Sequence, residues 1–355
     1  MQALATTEDA IVPPQEAADA AGLTYVTDDT PGLRRRRAGA GFAYFDSKGN
    51  RVTDDRTISR IRKLAIPPAW TEVWICPSAN GHLQATGRDA RGRKQYRYHD
   101  KFRAIRESAK FDHLIAFAEA LPSIRRTVTE QMALPGLPRE KVLAAVVQLL
   151  DRTMIRVGNT DYVKQNRSYG LTTLRDRHVQ VNGTELRFHF TGKGGKTWQL
   201  RLRDRRLARI VRAAQELPGQ QLFQYRDENG EVRNVTSADV NDYLREITGR
   251  EITAKDFRTW AGTVLAALAL HEIGAAETQT AAKRNLRAAI GQVAQHLGNT
   301  VTICRKCYVH PQVQDCYLAA TFQLEVSADA DVAAEMRTGL SQPERAVLAF
   351  LQAAG

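Results

Sequence analysis

The chain has 355 residues, 43% of them hydrophobic, which is enough to bury a substantial core and to form about two domains. Its 51 Lys and Arg residues against 39 Asp and Glu residues give a formal net charge of +12, which indicates a polyanionic partner. No apolar run approaches the length of a membrane-spanning helix, and the N-terminus lacks the basic and apolar regions of a signal peptide. We therefore predict a cytoplasmic protein and not a membrane protein.

The first 30 residues differ from the rest of the chain in charge. They contain six acidic residues and neither Lys nor Arg, so the remainder carries +18 against the +12 of the whole chain. They are also rich in Ala, contain Pro and show no sustained periodicity. This composition predicts a mobile acidic tail over residues 1–30.

Residues 31–100 predict a small antiparallel β-sheet domain. Aromatic and β-branched runs at 41–46, 72–77 and 82–87 are separated by turns rich in Gly, Pro and Asn. Helical content is expected to be low, with residues 58–65 the best candidate. The basic run from Arg34 to Arg37 is interpreted as a flexible solvated arm.

Residues 101–355 predict a larger, mainly α-helical domain. Apolar residues recur at helical spacing in the segments 102–121, 139–155, 207–217, 238–248, 257–274 and 281–298. A last helix is expected where Ser341 and Glu344 form a capping box. Strand patterns at 171–174, 178–190 and 198–202, with Asn182-Gly183 as a hairpin turn, predict one small sheet within this domain. The fold class is therefore α+β.

Five polar residues of the larger segment are candidates for a reaction site, although each also has an ordinary structural explanation. Tyr308 follows Arg305 and Lys306 and could be a surface tyrosine, and Arg156 follows a long apolar helix. Lys193 belongs to a Gly-rich turn that could be a hairpin tip, Arg258 begins the most hydrophobic helix and could snorkel, and Asn299 could cap a helix end.

Taken together, these five residues are typical of metal-free phosphoryl transfer. A phenol has a pKa near ~10 and needs nearby cations to serve as a nucleophile. Fixed guanidinium groups, here Arg156 and Arg258, can stabilise the extra negative charge on the non-bridging oxygens. A lysine between arginines has a lowered pKa and can protonate the leaving 5′ oxygen, a role that fits Lys193.

At these motifs the chain resembles the bacterial, poxvirus-like type IB DNA topoisomerases. The resemblance covers roughly residues 33–325 and includes the segments IRVGNTDY, FTGKGGK, KDFRTW, LGNT and RKCY. It implies that Tyr308 forms a 3′-phosphotyrosyl link, with Arg156, Lys193 and Arg258 as catalytic cations, and that Asn299 stands where many members carry a histidine. It also implies phosphate contacts by Lys255 and Tyr162, a C-shaped DNA clamp, and relaxation by strand rotation and religation without metal, ATP or another cofactor, by a chain expected to be a monomer.

Residues 87–103 resemble the DNA-contacting end of the family's N-terminal domain. Basic side chains there can neutralise phosphates, and tyrosines offer surfaces for bases or sugars. The predicted DNA-binding residues are Arg88, Arg91, Arg93, Lys94, Tyr96, Arg97 and Tyr98, with Lys101 and Arg103 as further cations. A solvated linker between domains is the competing interpretation.

Three alternatives compete with these predictions. A tyrosine site-specific recombinase shares the order of the catalytic residues, but usually carries His-x-x-Arg where this chain has Lys255-x-x-Arg258. A non-catalytic protein that coats duplex DNA would explain the basic charge. A zinc knuckle at Cys304, Cys307, His310 and Cys316 is disfavoured because the spacing is cramped for a tetrahedral site, so we predict no metal site.

Overall fold

The computed structural model describes residues 13–160, 163, 166–326 and 339–353. The chain divides into two compact units, residues 1–113 and 114–355. This division lies within a long helix, α3 (Asp100–Gln131). In the described ranges, no helix is long and apolar enough to cross a membrane.

The N-terminal unit is built on a five-stranded antiparallel sheet. Its strands are β1 (Leu33–Ala38), β2 (Gly41–Phe45), β3 (Thr71–Ile75), β4 (Leu83–Arg88) and β5 (Lys94–Tyr98), in the order β2-β1-β3-β4-β5. Helix α2 (Asp55–Lys63) is capped at its N-terminus by Asp54, whose side chain accepts a hydrogen bond from the Thr57 amide. Ile61 of α2 packs on Leu33, Val73 and Ile75, which form the core of one sheet face. The predicted small antiparallel sheet is confirmed, and α2 overlaps residues 58–65, the predicted helix.

Residues 13–30 differ from the predicted mobile tail. They include helix α1 (Pro14–Ala20), whose Ala17 and Ala18 are fully buried against Phe102. The small alanine side chains allow this close packing, and apolar burial stabilises the helix. The prediction of a mobile tail is therefore wrong for residues 13–30. Residues 1–12 lie outside the described residues.

The basic run Arg34–Arg37 is part of strand β1 and not a flexible arm. The Arg35 guanidinium donates to the carbonyl oxygens of Ile66, Pro67 and Trp70 at 3.1, 3.0 and 2.7 Å. It also lies 4.1 Å from the centre of the Phe42 ring. Hydrogen bonds and ring contacts hold this basic segment in the sheet, so the prediction of a solvated arm is wrong.

The second unit is mainly helical, as predicted. Its helices after α3 are α4 (Arg139–Thr153), α5 (Arg205–Gln215), α6 (Ser237–Thr248), α7 (Ala254–Ile273), α8 (Gln279–Leu297), α9 (Val301–Cys307), α10 (Pro311–Leu318) and α11 (Gln342–Ala353). Buried faces of α4 and α7 form much of its core. The predicted capping box of α11 is confirmed, because the Ser341 amide donates to Glu344 Oε2 at 2.8 Å.

A three-stranded antiparallel sheet completes this unit. Its strands are β6 (Val179–Asn182), β7 (Glu185–Thr191) and β8 (Thr197–Arg203), and a short hairpin of β9 (Gln224–Arg226) and β10 (Val232–Asn234) lies elsewhere. Segment 171–174 was predicted as a strand, but Leu171–Thr173 forms a 3₁₀ turn. That turn pairs with the segment after α4 and not with the sheet, since the Leu171 and Thr172 amides donate to Arg156 O and Val157 O.

Candidate active site

Tyr308 lies at the end of the short helix α9. Its amide donates to Cys304 O at 3.0 Å, which closes the last turn. Tyr308 as a whole is half-buried. Arg305 and Lys306, the cations adjacent in sequence, are both exposed.

Helix α7 fixes the backbone of Tyr308 through Gly262 and Thr263. A Cβ atom on Gly262 would lie 2.5 Å from the Tyr308 carbonyl oxygen, so only glycine permits this approach. The fully buried Thr263 hydroxyl donates to Thr259 O at 2.9 Å and accepts from the His310 amide at 3.1 Å. These contacts hold the chain on both sides of Tyr308 against α7.

Arg258 of α7 lies beside the Tyr308 ring, with its guanidinium carbon 5.2 Å from the ring centre. The side chain is only 3% exposed. It donates to Leu297 O at 2.7 Å, at the end of α8, and to Met154 O, at the end of α4. Helix ends leave carbonyls unpaired, and these two hold the guanidinium in place. Its buried Nε atom has no hydrogen-bond partner in the described part of the chain.

Arg156 and Asn299 contact each other directly. The Arg156 guanidinium donates to Asn299 Oδ1, and the same nitrogen lies 3.4 Å from Gly298 O. This contact orients the amide so that its nitrogen, Nδ2, is buried without a partner among the described residues. The left-handed residue that ends α8 is Gly298, with φ 61°, so the side chain of Asn299 is not needed for that role.

The β7–β8 hairpin reaches the same region. Lys193 lies in a 3₁₀ turn at the hairpin tip and is exposed. Lys196 donates to the Asn299 carbonyl at 3.1 Å. Trp198 lies so close to Gly192 and Gly298 that a Cβ on either would approach the indole within 3.0 Å. The hairpin is thus packed on the turn that carries Asn299.

The electrostatic result of this arrangement is a lowered pKa for the Tyr308 phenol. Burial is the largest single influence and raises the pKa, because it disfavours the phenolate. The charges of Arg258, Arg156 and Lys255 together outweigh it, and a hydrogen bond with Arg258 adds to their effect. Lys255 is exposed one turn before Arg258 on α7. The arrangement therefore makes the Tyr308 phenol easier to ionise than a free phenol.

The structure brings Tyr308, Arg156, Arg258 and Asn299 together, with Lys255 contributing charge. Tyr162, a predicted phosphate contact, lies outside the described residues. Sequence reasoning missed Gly262, Thr263, Lys196 and Trp198. The available signal was Gly262, because an isolated glycine inside an apolar helix indicates a close approach.

The predicted DNA-binding residues of the N-terminal unit lie on and around β4 and β5. Four of the predicted cations are paired with carboxylates, at Arg88–Glu72, Arg93–Asp89, Lys94–Asp28 and Arg103–Asp100, each at 2.7 Å. The other predicted residues are exposed Arg91 and Lys101, half-buried Arg97, which donates to Ala65 O, and the half-buried tyrosines Tyr96 and Tyr98.

Tyr98 also belongs to the interior of the N-terminal unit. It packs against Phe102 and His82, with ring centres 5.3 and 6.0 Å apart. Burial raises the pKa of its phenol. Tyr98 therefore contributes to the packing of the N-terminal unit, and its role in DNA binding stays a prediction.

Comparisons with known proteins agree with this organisation. Residues 99–326 match the family described as eukaryotic DNA topoisomerase I, catalytic core, and residues 41–89 match the bacterial DNA topoisomerase IB N-terminal domain. The DNA topoisomerase 1B of Acanthamoeba polyphaga mimivirus is 31% identical over 81% of this chain and 87% of the viral protein. The DNA topoisomerase 1B of vaccinia virus (strain Copenhagen) is 25% identical over 41% of this chain and 48% of that protein.

Proposed function

This chain belongs to the type IB DNA topoisomerases, and on that premise we propose that it relaxes supercoiled DNA through a transient covalent bond at Tyr308. The Tyr308 oxygen attacks a backbone phosphorus, and the bond to the 5′ oxygen breaks. One strand end is then a 3′-phosphotyrosyl ester, and the other is a free 5′ hydroxyl. After the strand rotates, that hydroxyl attacks the ester, restores the phosphodiester and releases the tyrosine.

Arg258 and Arg156 stabilise the charge that develops on the non-bridging oxygens. A guanidinium has five N–H donors, and the two backbone carbonyls held by Arg258 use only part of this set. Preorganised donors of this kind cost no reorganisation in the transition state. The Asn299 Nδ2 group, oriented by Arg156, is a further neutral donor to the same oxygens.

Lys193 acts as the general acid that protonates the leaving 5′ oxygen. Its support is its place in the Gly-rich tip of a hairpin that packs on the Asn299 turn. Lys196 is anchored to the Asn299 carbonyl and holds that turn. The division of roles is testable, because a 5′-thio leaving group needs no proton and should rescue Lys193→Ala but not Lys196→Ala.

The observation that carries this proposal is the Arg258 guanidinium beside the Tyr308 ring, together with the lowered pKa of that phenol. The arginines supply the charge stabilisation that a metal ion provides in other phosphoryl-transfer sites, so the reaction needs no metal. The phosphotyrosyl ester conserves the energy of the broken bond, so it needs no ATP. Duplex DNA is the partner, and one chain carries all of these groups.

Relaxation of supercoiled plasmid with EDTA and without nucleotide tests the proposal. We expect complete relaxation of both positive and negative supercoils by the wild-type chain, and none by Tyr308→Phe. Duplex affinity should be nearly unchanged in that variant, because one hydroxyl is removed from a surface held mainly by basic contacts. A strict requirement for Mg²⁺ or ATP would contradict the proposal.

A further inference from the structure

One face of the N-terminal sheet carries a continuous row of side chains from β2 to β5. Phe45 pairs with Arg34, Arg34 with Trp74, Trp74 with Thr86, and Thr86 with Tyr96. Directly opposed residues of antiparallel strands project from the same face. Arg34 therefore shares a face with the predicted DNA-binding residue Tyr96. The other face is covered by α2, and on this face Trp74 and Thr86 are buried beneath the segment that carries Asp28 and Thr30, so its exposed arginine lies at the β1 end.

At the β1–β2 end of this face lies a cleft of about 210 Å³ lined by Arg34 and Arg36. Both arginines are exposed and project from the same side of β1, since they are two residues apart. Gly32, Ser47 and Gly49 complete its small-residue walls. The volume corresponds to several water molecules at roughly 30 Å³ each, which is room for a hydrated phosphate group.

The cleft is lined by two exposed arginines and one carboxylate, so its net charge is positive. Among the described residues, no carboxylate lies within ion-pair distance of Arg34 or Arg36. Asp46 also lines the cleft, but its carboxylate accepts hydrogen bonds from the Asn50 amide and side chain and from the Lys48 amide. Arg36 rests over the Phe45 ring at 4.7 Å, which directs its guanidinium along the cleft wall.

At the opposite end of the same face, three of the predicted DNA-binding cations are paired with carboxylates. Lys94 is bound to Asp28, and Arg88 and Arg93 are bound to Glu72 and Asp89. A phosphate can bind Arg34 and Arg36 without breaking an ion pair to any described residue, whereas at Arg88, Arg93 and Lys94 an ion pair must first be broken.

We propose that the cleft between Arg34 and Arg36 binds backbone phosphates of duplex DNA, at the end of the sheet face distant from β5. This inference rests on the proposed function for its partner. Three strand spacings of ~4.8 Å separate β1 from β5, so the cleft lies on the order of 14 Å from Tyr96. DNA carries one charge per ~3.4 Å of axis on each strand, so the two ends of the face contact different phosphates and add independently.

The test is the salt dependence of duplex binding by the full chain, measured in the Tyr308→Phe background so that no covalent product forms. Each lost phosphate contact reduces the slope of log affinity against log salt by about 1. The double variant Arg34→Gln/Arg36→Gln should therefore lose about 2 from the slope. Between 50 and 200 mM salt, its affinity should fall about 16-fold less than that of the parent.

The matched control is Arg56→Gln/Arg62→Gln, which removes the same charge from exposed positions of α2, on the covered face. Its slope should match that of the parent. A second variant, Arg34→Lys/Arg36→Lys, keeps the charge and should keep the parent slope, which shows that the strand still folds. Equal slopes for the two Gln pairs would overturn the proposal. Covalent adduct formation at Tyr308 is measured separately, in protein that is otherwise wild type. Equal slopes together with a normal adduct would overturn the cleft proposal alone and leave the proposed function standing.

Discussion

The reactivity assigned to Tyr308 depends on two competing effects at a single residue. Burial raises the pKa of the phenol, whereas the charges of Arg258, Arg156 and Lys255 lower it, and the charges prevail. The buried Arg258 can remain charged there because two helix-end carbonyls accept its hydrogen bonds. The Arg258 guanidinium is therefore held in a fixed position beside Tyr308.

Arg258→Ala should slow single-turnover cleavage by about 10²–10³ at saturating DNA, the cost of losing one preorganised donor to transition-state charge. Arg258→Lys should recover little, because an ammonium cannot reach both Met154 O and Leu297 O while facing Tyr308. The denaturation midpoint of each variant must be measured alongside, since a lost partner leaves buried carbonyls unpaired. Wild-type cleavage by the Lys variant would show that Arg258 serves only the fold.

Asn299→Ala should slow cleavage by about 2- to 12-fold, the equivalent of one neutral hydrogen bond. Asn299→Gly should behave alike, because Gly298 already supplies the left-handed residue that ends α8. The rate should show no inflection between pH 5 and 8 attributable to this position, since an amide does not titrate there. Unchanged rates in both variants would exclude Asn299 from the site.

Residue types and motif order predicted most of this site, but not its geometry. The sequence indicated Tyr308, Arg156, Arg258 and Asn299 as candidates, because these residue types occur in motifs that resemble those of the type IB topoisomerases. It could not show that Arg156 orients Asn299, or that Lys196 contacts the Asn299 carbonyl, because these contacts join residues 103 or more positions apart.

At the scale of elements, helix α7 is the part that aligns Tyr308 with Arg258, the proposed nucleophile and its proposed cation. Arg258 and Gly262 are four residues apart, so they lie on one face of the helix, and both contact Tyr308. The helix begins at a capping box in which Asp256 accepts from the Thr253 amide and hydroxyl, at 2.8 and 2.9 Å. The spacing of α7 and α9 thus determines where the phenol lies relative to Arg258.

Gly262→Ala should slow cleavage and religation by about tenfold or more, because its Cβ would overlap the Tyr308 carbonyl oxygen and displace the nucleophile. Duplex affinity should stay unchanged. Gly291→Ala is the matched control, since Gly291 is also within a helix and its added Cβ would meet no atom within 4 Å. Cleavage rates in single turnover, compared between the two variants, decide the point, and equal rates would contradict the positioning role of Gly262.

The elements themselves were largely predictable, with instructive exceptions. Apolar periodicity located α4 to α8, and the capping box located α11. Helix α3 continues to Gln131, ten residues beyond the predicted end at Leu121. Pro122 lies inside this helix and does not end it. Segment 171–174 has strand composition, but pairs with the backbone after α4, a tertiary preference that local propensity does not contain.

At the scale of the whole molecule, the acidic N-terminal segment is bound to the basic N-terminal sheet through Asp28. The acidic N-terminal segment is not merely a tail, since Asp28 accepts from Thr86 at 2.9 Å and pairs with Lys94 at 2.7 Å. This pairing lowers the pKa of Asp28, although burial opposes it, and raises the pKa of Lys94. The acidic segment therefore neutralises part of a surface predicted to bind DNA.

Asp28→Asn should raise duplex affinity and steepen the salt dependence by about 1, because Lys94 becomes available to a phosphate. Asp29→Asn removes the same charge from the adjacent exposed residue and serves as the control, for which we expect a smaller change. Titration of duplex at several salt concentrations measures both. An unchanged slope in Asp28→Asn would mean that Lys94 does not contact DNA.

The covalent bond proposed at Tyr308 is tested most directly by identifying the residue that becomes joined to DNA. Full-length protein is mixed with duplex DNA in EDTA, denatured during turnover and digested with protease, and the DNA-linked peptide is identified by mass spectrometry. We predict a single peptide containing residues 307–309, joined through Tyr308 to a 3′ phosphate. Attachment through any other residue, or to a 5′ phosphate, would contradict the account.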